Sequence, residues 1–135
     1  MASPSHTNDD QAELLRVLNE YYSAFSTLNI EAVLPYFHEP SLLIGPQGAF
    51  AATTHTLLAT ALTPAMEGLL ARGFGRTELS VRNLKSLSAT AALVEGAGQR
   101  VEIDGQELDQ AGVTYVLYKA DAGWKIAVLI VHDTD

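Results

Sequence analysis

The stretch Gly123-Trp124-Lys125-Ile126-Ala127-Val128-Leu129-Ile130-Val131-His132 is apolar on both faces of an extended chain. Successive side chains of a strand alternate, so Trp124, Ile126, Val128 and Ile130 are expected on one side and Ala127, Leu129 and Val131 on the other. A strand of a small antiparallel sheet normally covers the core on one face and meets water on the other. One that is apolar on both calls for a second covering layer, such as another subunit. The stretch therefore predicts a sheet with helices on one side and a second copy of the chain on the other.

Reading back from it, the same extended period holds from Arg76. Thr77 to Leu87, Thr90 to Ile103 and Glu107 to Lys119 read as three further strands. Asp104-Gly105 tolerates positive φ at both positions and reads as a two-residue hairpin turn, and Asp121-Ala122-Gly123 turns the chain into the last strand. Gly96 and Gly98 inside the long strand point to a bulge or a sharp coil of the sheet.

Before Arg76 the period is helical. Leu14, Leu18, Tyr21 or Tyr22, and Phe25 recur at three- and four-residue steps between Asn8 and Leu28. Only one of Tyr21 and Tyr22 is expected to face fully inward. Asn29 can cap a short helix carrying Val33, Leu34 and Phe37, limited by Pro35 and stopped at His38-Glu39-Pro40. Ser41 to Ile44 reads as a short extended segment and Gly45-Pro46-Gln47-Gly48 as a turn. A third helical region runs from Thr53 or Thr54 to Arg72, as two helices or one bent at Pro64, with Leu58, Leu62, Met66, Leu69 and Leu70 turned toward the core.

The 135 residues suit one domain, a tail over residues 1–8 and a folded unit over 9–132, large enough to bury roughly two-thirds of its unfolded surface. The opening residues have neither a basic start nor an apolar core, and no apolar run nears the ~20 residues of a membrane span, so a cytoplasmic location is expected by default. With no cysteine there is no thiol chemistry or disulfide framework. A net charge of -8 and scattered Lys and Arg argue against nucleic acid as a partner.

The helix bearing Tyr21-Tyr22-Ser23-Ala24-Phe25, the element Asn29-Ile-Glu-Ala-Val-Leu-Pro-Tyr-Phe-His38, the strand meander and the closing Gly123-Trp124-Lys-Ile126 together resemble the nuclear transport factor 2-like superfamily, over about residues 10 to 132. The resemblance implies an α+β, cystatin-like cone: about three N-terminal helices packed on a strongly curved antiparallel sheet, with a pocket at the open end. It also implies homodimers through the outer sheet face. Relatives among the SnoaL-like polyketide cyclases, ketosteroid isomerase, scytalone dehydratase and limonene epoxide hydrolase use such pockets for acid-base chemistry on small, rather apolar molecules. Tyr22 falls about where ketosteroid isomerase has its oxyanion-stabilising tyrosine. The position of that enzyme's base, before Pro46, is Gly45, and its second donor would fall near Gln110 or Ala111. The chain is thus not read as a ketosteroid isomerase, and neither the scytalone dehydratase nor the limonene epoxide hydrolase catalytic set can be assembled.

His38, His55 and His132 lie near element ends. They could converge on a pocket mouth as proton-transfer groups, or stand as three separate surface or hydrogen-bonded residues. Their spacing matches no metal ligand pair, so no metal and no cofactor is expected. Tyr22, Tyr115 and Tyr118 could line a pocket or simply fill the core. Glu95, beside the glycine bend, either faces a cavity as an acid or base or is solvated outside. Trp124 anchors a hairpin. Arg72, Arg76, Arg82 and Arg100 could bind an anion or balance neighbouring carboxylates.

The expectation is a homodimeric protein with a pocket for a small apolar ligand, lined by Tyr22, Phe25, Phe37, Glu95 and Tyr115, without a complete catalytic set. The alternative is a cofactor-independent isomerase, cyclase or dehydratase, with Tyr22, His38 and His132 as the catalytic candidates.

Overall fold

In a computed structural model, residues 4–132 are described, with side chains from residue 11 onward. The first helix, α1 (Pro4–Ser26), buries Leu14, Val17 and Leu18 on one stripe, the face its three- and four-residue apolar steps predict. The expected tail falls partly outside the described residues, at 1–3, and otherwise in the opening turns of α1. Asn29 caps α2 (Ile30–Val33), its side chain accepting from the Glu31 N–H. Pro35 then tightens the chain into a 3-10 turn, Leu34–Tyr36.

The sheet has six strands: β1 (Phe37–Gly45), β2 (Gly48–Ala52), β3 (Phe74–Ser86), β4 (Ala91–Glu102), β5 (Glu107–Ala120) and β6 (Gly123–His132). Their order is β2-β1-β6-β5-β4-β3. This corrects the expected antiparallel meander in two ways. The segment expected at Ser41 to Ile44 extends over all of β1 and pairs with β6 in parallel, so the sheet is mixed. The parallel pairing is possible because the long excursion from β2 to β5 serves as the crossover. The turn Gly45 to Gly48 also leads into β2, which the sequence reading did not foresee.

Thr54 caps α3 (His55–Ala71) by accepting from the Leu57 N–H. The helix continues through Pro64 as one element, and the Thr63 hydroxyl donates to the Ala59 carbonyl. Leu58, Met66 and Leu69 are buried and Leu62 packs partly against the core, but Leu70 is 68% exposed. It follows Leu69 by one residue, about 100° around the helix from the buried stripe, and so turns outward.

Single extra residues curve the sheet. Arg82 of β3 is the extra residue between Val81↔Gly96 and Asn83↔Glu95. The bulge thus lies across from Gly96, whose missing side chain leaves room for the Ser80 carbonyl: a Cβ there would stand 2.2 Å from that oxygen. A second extra residue, Ala127, separates Ile126↔Leu117 from Val128↔Val116. It shifts the alternation of β6 by one. Trp124 and Ile126 are buried in the core, as are Tyr115 and Leu117 of β5, whereas Val128 shares a face with Val116, the residue between those two. The expected grouping of Trp124, Ile126, Val128 and Ile130 on one side is therefore corrected to Trp124 and Ile126 inside, Val128 and Ile130 outside. The fold is an α+β cone of the cystatin-like type, with α1 and α3 on the concave side of the sheet.

Candidate functional site

The concave side holds an open cavity of about 410 Å³. Its walls come from every layer of the fold: Tyr21, Tyr22 and Phe25 from α1, Leu62 and Ala65 from α3, Leu43 from β1, Val113 and Tyr115 from β5, Leu129 and Val131 from β6. Gly98 leaves the β4 wall bare, since the nearest side-chain atoms to a Cβ there would be 3.6 and 3.7 Å away. The lining is apolar apart from Gln47, Thr77, Arg100 and the tyrosine hydroxyls.

Two of those hydroxyls meet. The Tyr22 and Tyr115 side chains, from α1 and β5, hydrogen-bond to one another in the interior. Two hydroxyls carry two protons, and one bond between them uses only one. The second proton is therefore a donor in a largely apolar cavity, available to an acceptor on a bound molecule. Burial pushes the Tyr22 phenol up to about 12, against the downward pull of the Tyr115 hydrogen bond and the Arg100 charge. Burial also raises Tyr115 well above its ordinary value, with the Tyr21 and Tyr22 neighbours adding to it and Arg100 opposing. Both phenols are thus neutral donors at physiological pH. Tyr21 is buried as well, its ring edge against Phe37 at 5.5 Å and Tyr115 at 6.3 Å. The expectation that only one of Tyr21 and Tyr22 turns inward gives way to both, because the Tyr21 ring is enclosed by Tyr36 of the 3-10 turn, Phe37 of β1 and Tyr115 of β5.

Of the sequence-derived candidates, the cavity brings together Tyr22, Phe25 and Tyr115. Phe37 is packed in the core behind them, against Tyr21, and is not part of the lining. Glu95 lies on the convex side, cross-strand from Thr114, and accepts from the Asn83 amide at 3.3 Å. The histidines do not converge. His38 Nδ1 lies 3.0 Å from the Pro40 carbonyl and its ring stands edge-on to Tyr118. His55 Nε2 lies 2.9 Å from the Phe37 carbonyl, and His132 Nε2 lies 2.9 Å from the Thr114 hydroxyl. Among the described residues, the lining contains no carboxylate and no imidazole, and no group of three or more His, Cys, Asp and Glu is placed to hold a metal ion. The sequence reading missed Leu129 and Val131 as a pair on the wall because it could not see the Ala127 bulge. It named Arg100 only as one of four scattered arginines.

The model of the family described as NTF2-like protein (DUF6841) matches residues 12–134. The chain belongs to this NTF2-like family. Solved structures agree on the fold. An NTF2-like protein of unknown function from Shewanella oneidensis superposes with a TM-score of 0.72 at 20% identity, covering 92% of this chain and 99% of the other. A domain of unknown function with a cystatin-like fold from Nostoc punctiforme gives 0.76 at 18%, covering 99% and 80%. A ketosteroid isomerase-like protein from Erwinia carotovora gives 0.67 at 19%, covering 95% and 98%. No curated protein matches this NTF2-like chain by sequence. Among the described residues, no helix is long and apolar enough to cross a membrane.

Proposed function

We propose that this NTF2-like protein is a small-molecule-binding module that works as a homodimer, its cone taking a small apolar ligand. The observation that carries this reading is the open cavity itself. Its volume, about 410 Å³, lies within the range of small-molecule sites, and its mostly apolar walls carry a few polar groups, the Tyr22–Tyr115 pair among them. Acid-base catalysis needs at least two ionisable groups within reach of one reacting atom. Here His38, His55, His132 and Glu95 are all engaged away from the cavity.

The tyrosine pair favours one second reading, a cofactor-independent isomerase, cyclase or dehydratase. A neutral phenol pair is a suitable donor to a developing oxyanion. Such an enzyme would lack an imidazole or carboxylate base from the described lining, and this is why binding is preferred.

A second copy of the chain is assigned to the convex face. Leu42, Val128, Val116 and Leu93 are cross-strand partners in one row over four adjacent strands, and all four are only half-buried. A row of aliphatic side chains across a sheet suits a self-complementary contact about a two-fold axis. Native mass spectrometry of the purified protein tests both parts of the proposal. A dimer of the 14.5 kDa chain that releases a small molecule on denaturation supports them, and a bare monomer contradicts them.

A further inference from the structure

The cavity carries a local charge opposite in sign to that of the chain. A net charge of -8 disfavours anions over the protein as a whole. Where β4 and β5 border the cavity, however, Arg72 and Arg100 share the one carboxylate of Asp109. Nη1 of Arg72 lies 3.1 Å from Oδ2, and Nη1 of Arg100 lies 3.4 Å from the same oxygen. Two guanidiniums against one carboxylate leave one positive charge in excess.

The two arginines are not equivalent. Arg72 holds the shorter contact and is not part of the lining, whereas Arg100 holds the longer one and forms part of the cavity wall. A guanidinium has five N–H donors in a planar fork that matches two oxygens of an acid group, and one long contact to Asp109 leaves most of that fork available. Its charge is felt through the cavity, where it works against ionisable-group burial at Tyr21, Tyr22 and Tyr115 alike. No carboxylate of the described lining neutralises it. The remaining walls, with Phe25, Leu62, Val113 and Leu129, are suited to a hydrocarbon body.

From this arrangement we infer that the cavity selects apolar small molecules bearing one acidic oxygen group, such as a carboxylate or sulfonate, with that group held by Arg100. The inference rests on the ligand-pocket reading above and adds the ligand's charge.

Two fluorescent probes with the same aromatic frame separate the two ideas: 8-anilinonaphthalene-1-sulfonate, an anion, and N-phenyl-1-naphthylamine, which is neutral. Both are titrated into wild type, Arg100→Gln, Asp109→Asn and Ala65→Trp, the last placing an indole in the cavity. Arg100→Gln is expected to weaken the sulfonate about tenfold while leaving the neutral probe within about twofold, the size of effect that loss of a partly exposed charge-assisted contact produces. Asp109→Asn releases Arg100 and is expected to strengthen the sulfonate severalfold. Ala65→Trp should abolish both signals. If the neutral probe binds in a manner blocked by Ala65→Trp, yet the sulfonate responds to neither charge substitution, the acidic-ligand inference is overturned and the pocket survives. If folded wild type binds neither probe, the pocket reading falls with it. Should Arg100→Gln fail to fold, Asp109→Asn decides: no gain for the sulfonate overturns the inference.

Discussion

The hydroxyls of Tyr22 and Tyr115, 93 positions apart in the chain, hydrogen-bond to each other inside the cone. This contact ties the first helix to the sheet and sets a polar point on the cavity wall. Tyr115 is 2% exposed and Tyr22 9%, so both side chains are largely withdrawn from solvent. Removing one leaves the other buried with its bonding reduced, which costs about 1 to 3 kcal/mol. Tyr22→Phe and Tyr115→Phe are each expected to lower stability by about that amount, and the double variant by less than the sum. Urea denaturation monitored by circular dichroism measures it; strictly additive losses would show that the two hydroxyls are not coupled.

The same burial gives an alkaline limit. An unfolded tyrosine ionises near 10, whereas folded Tyr22 holds its proton to about 12 and Tyr21 and Tyr115 are also raised. Above pH 10 the unfolded chain therefore binds fewer protons than the folded one, and stability falls with rising pH. The contribution is complete below pH 10 and is lost as pH climbs through the folded value. Tyr21, Tyr22 and Tyr115 should ionise only as the far-ultraviolet dichroism collapses, which tyrosinate absorbance of wild type against the three Tyr→Phe variants follows. Ionisation of these three near pH 10 in a still-folded protein contradicts this.

Gly96 is a steric requirement of the sheet's curvature. Alanine at this position would bring Cβ to 2.2 Å from the Ser80 carbonyl, in the strand carrying the Arg82 bulge. Backbone must move, and a loss of about 2 to 3 kcal/mol is expected. Gly98→Ala meets its nearest side-chain atom at 3.6 Å and should cost under about 1 kcal/mol. Thermal melting of the two variants makes the comparison, and equal losses would mean that the Ser80–Gly96 approach is not what demands glycine.

The convex row makes a prediction about assembly. Val116→Glu places a charge in the middle of the Leu42, Val128, Val116 and Leu93 row, and a charge buried in an apolar contact without a partner is strongly disfavoured. Sedimentation velocity should show the wild type as a dimer and Val116→Glu as a folded monomer. A dimer that tolerates the substitution places the interface elsewhere.

Much of this architecture was legible because the relevant residues alternate or step clearly. The Leu14 to Phe25 stripe and the long strands after Arg76 each follow from one period. The turn at Asp104-Gly105 was located correctly, but it is longer than the expected two residues: the Glu102 N–H donates to the Gln106 carbonyl, and Gly105, not Asp104, takes the positive φ. Three features were not legible, for separable reasons. Gly-Ala-Phe-Ala-Ala, residues 48–52, has no polar alternation and is mostly exposed, so β2 is defined only by pairing with β1. The Ala127 bulge is invisible where residues on both sides are apolar, because a shift of one leaves the hydrophobic pattern unchanged. Pro64 marks a break in most helices, yet α3 continues through it because the packing of Leu58, Met66 and Leu69 spans the position. For the site, Tyr22 was named from the family resemblance and Phe25 and Tyr115 as aromatic candidates for the lining, and all three border the cavity. Glu95 depended on which face it took, and the register with Thr114 settles that. Arg100 depended on a neighbour distant in sequence, Arg72, sharing its carboxylate.

Diffraction from a crystal pressurised with xenon tests the central claim most directly, since xenon enters apolar cavities that are empty of ordered side chains. Xenon density between Phe25, Leu62, Val113 and Leu129 is the predicted result. Absence of such density, with these side chains closed together across the space, would contradict a cone built to hold a small molecule.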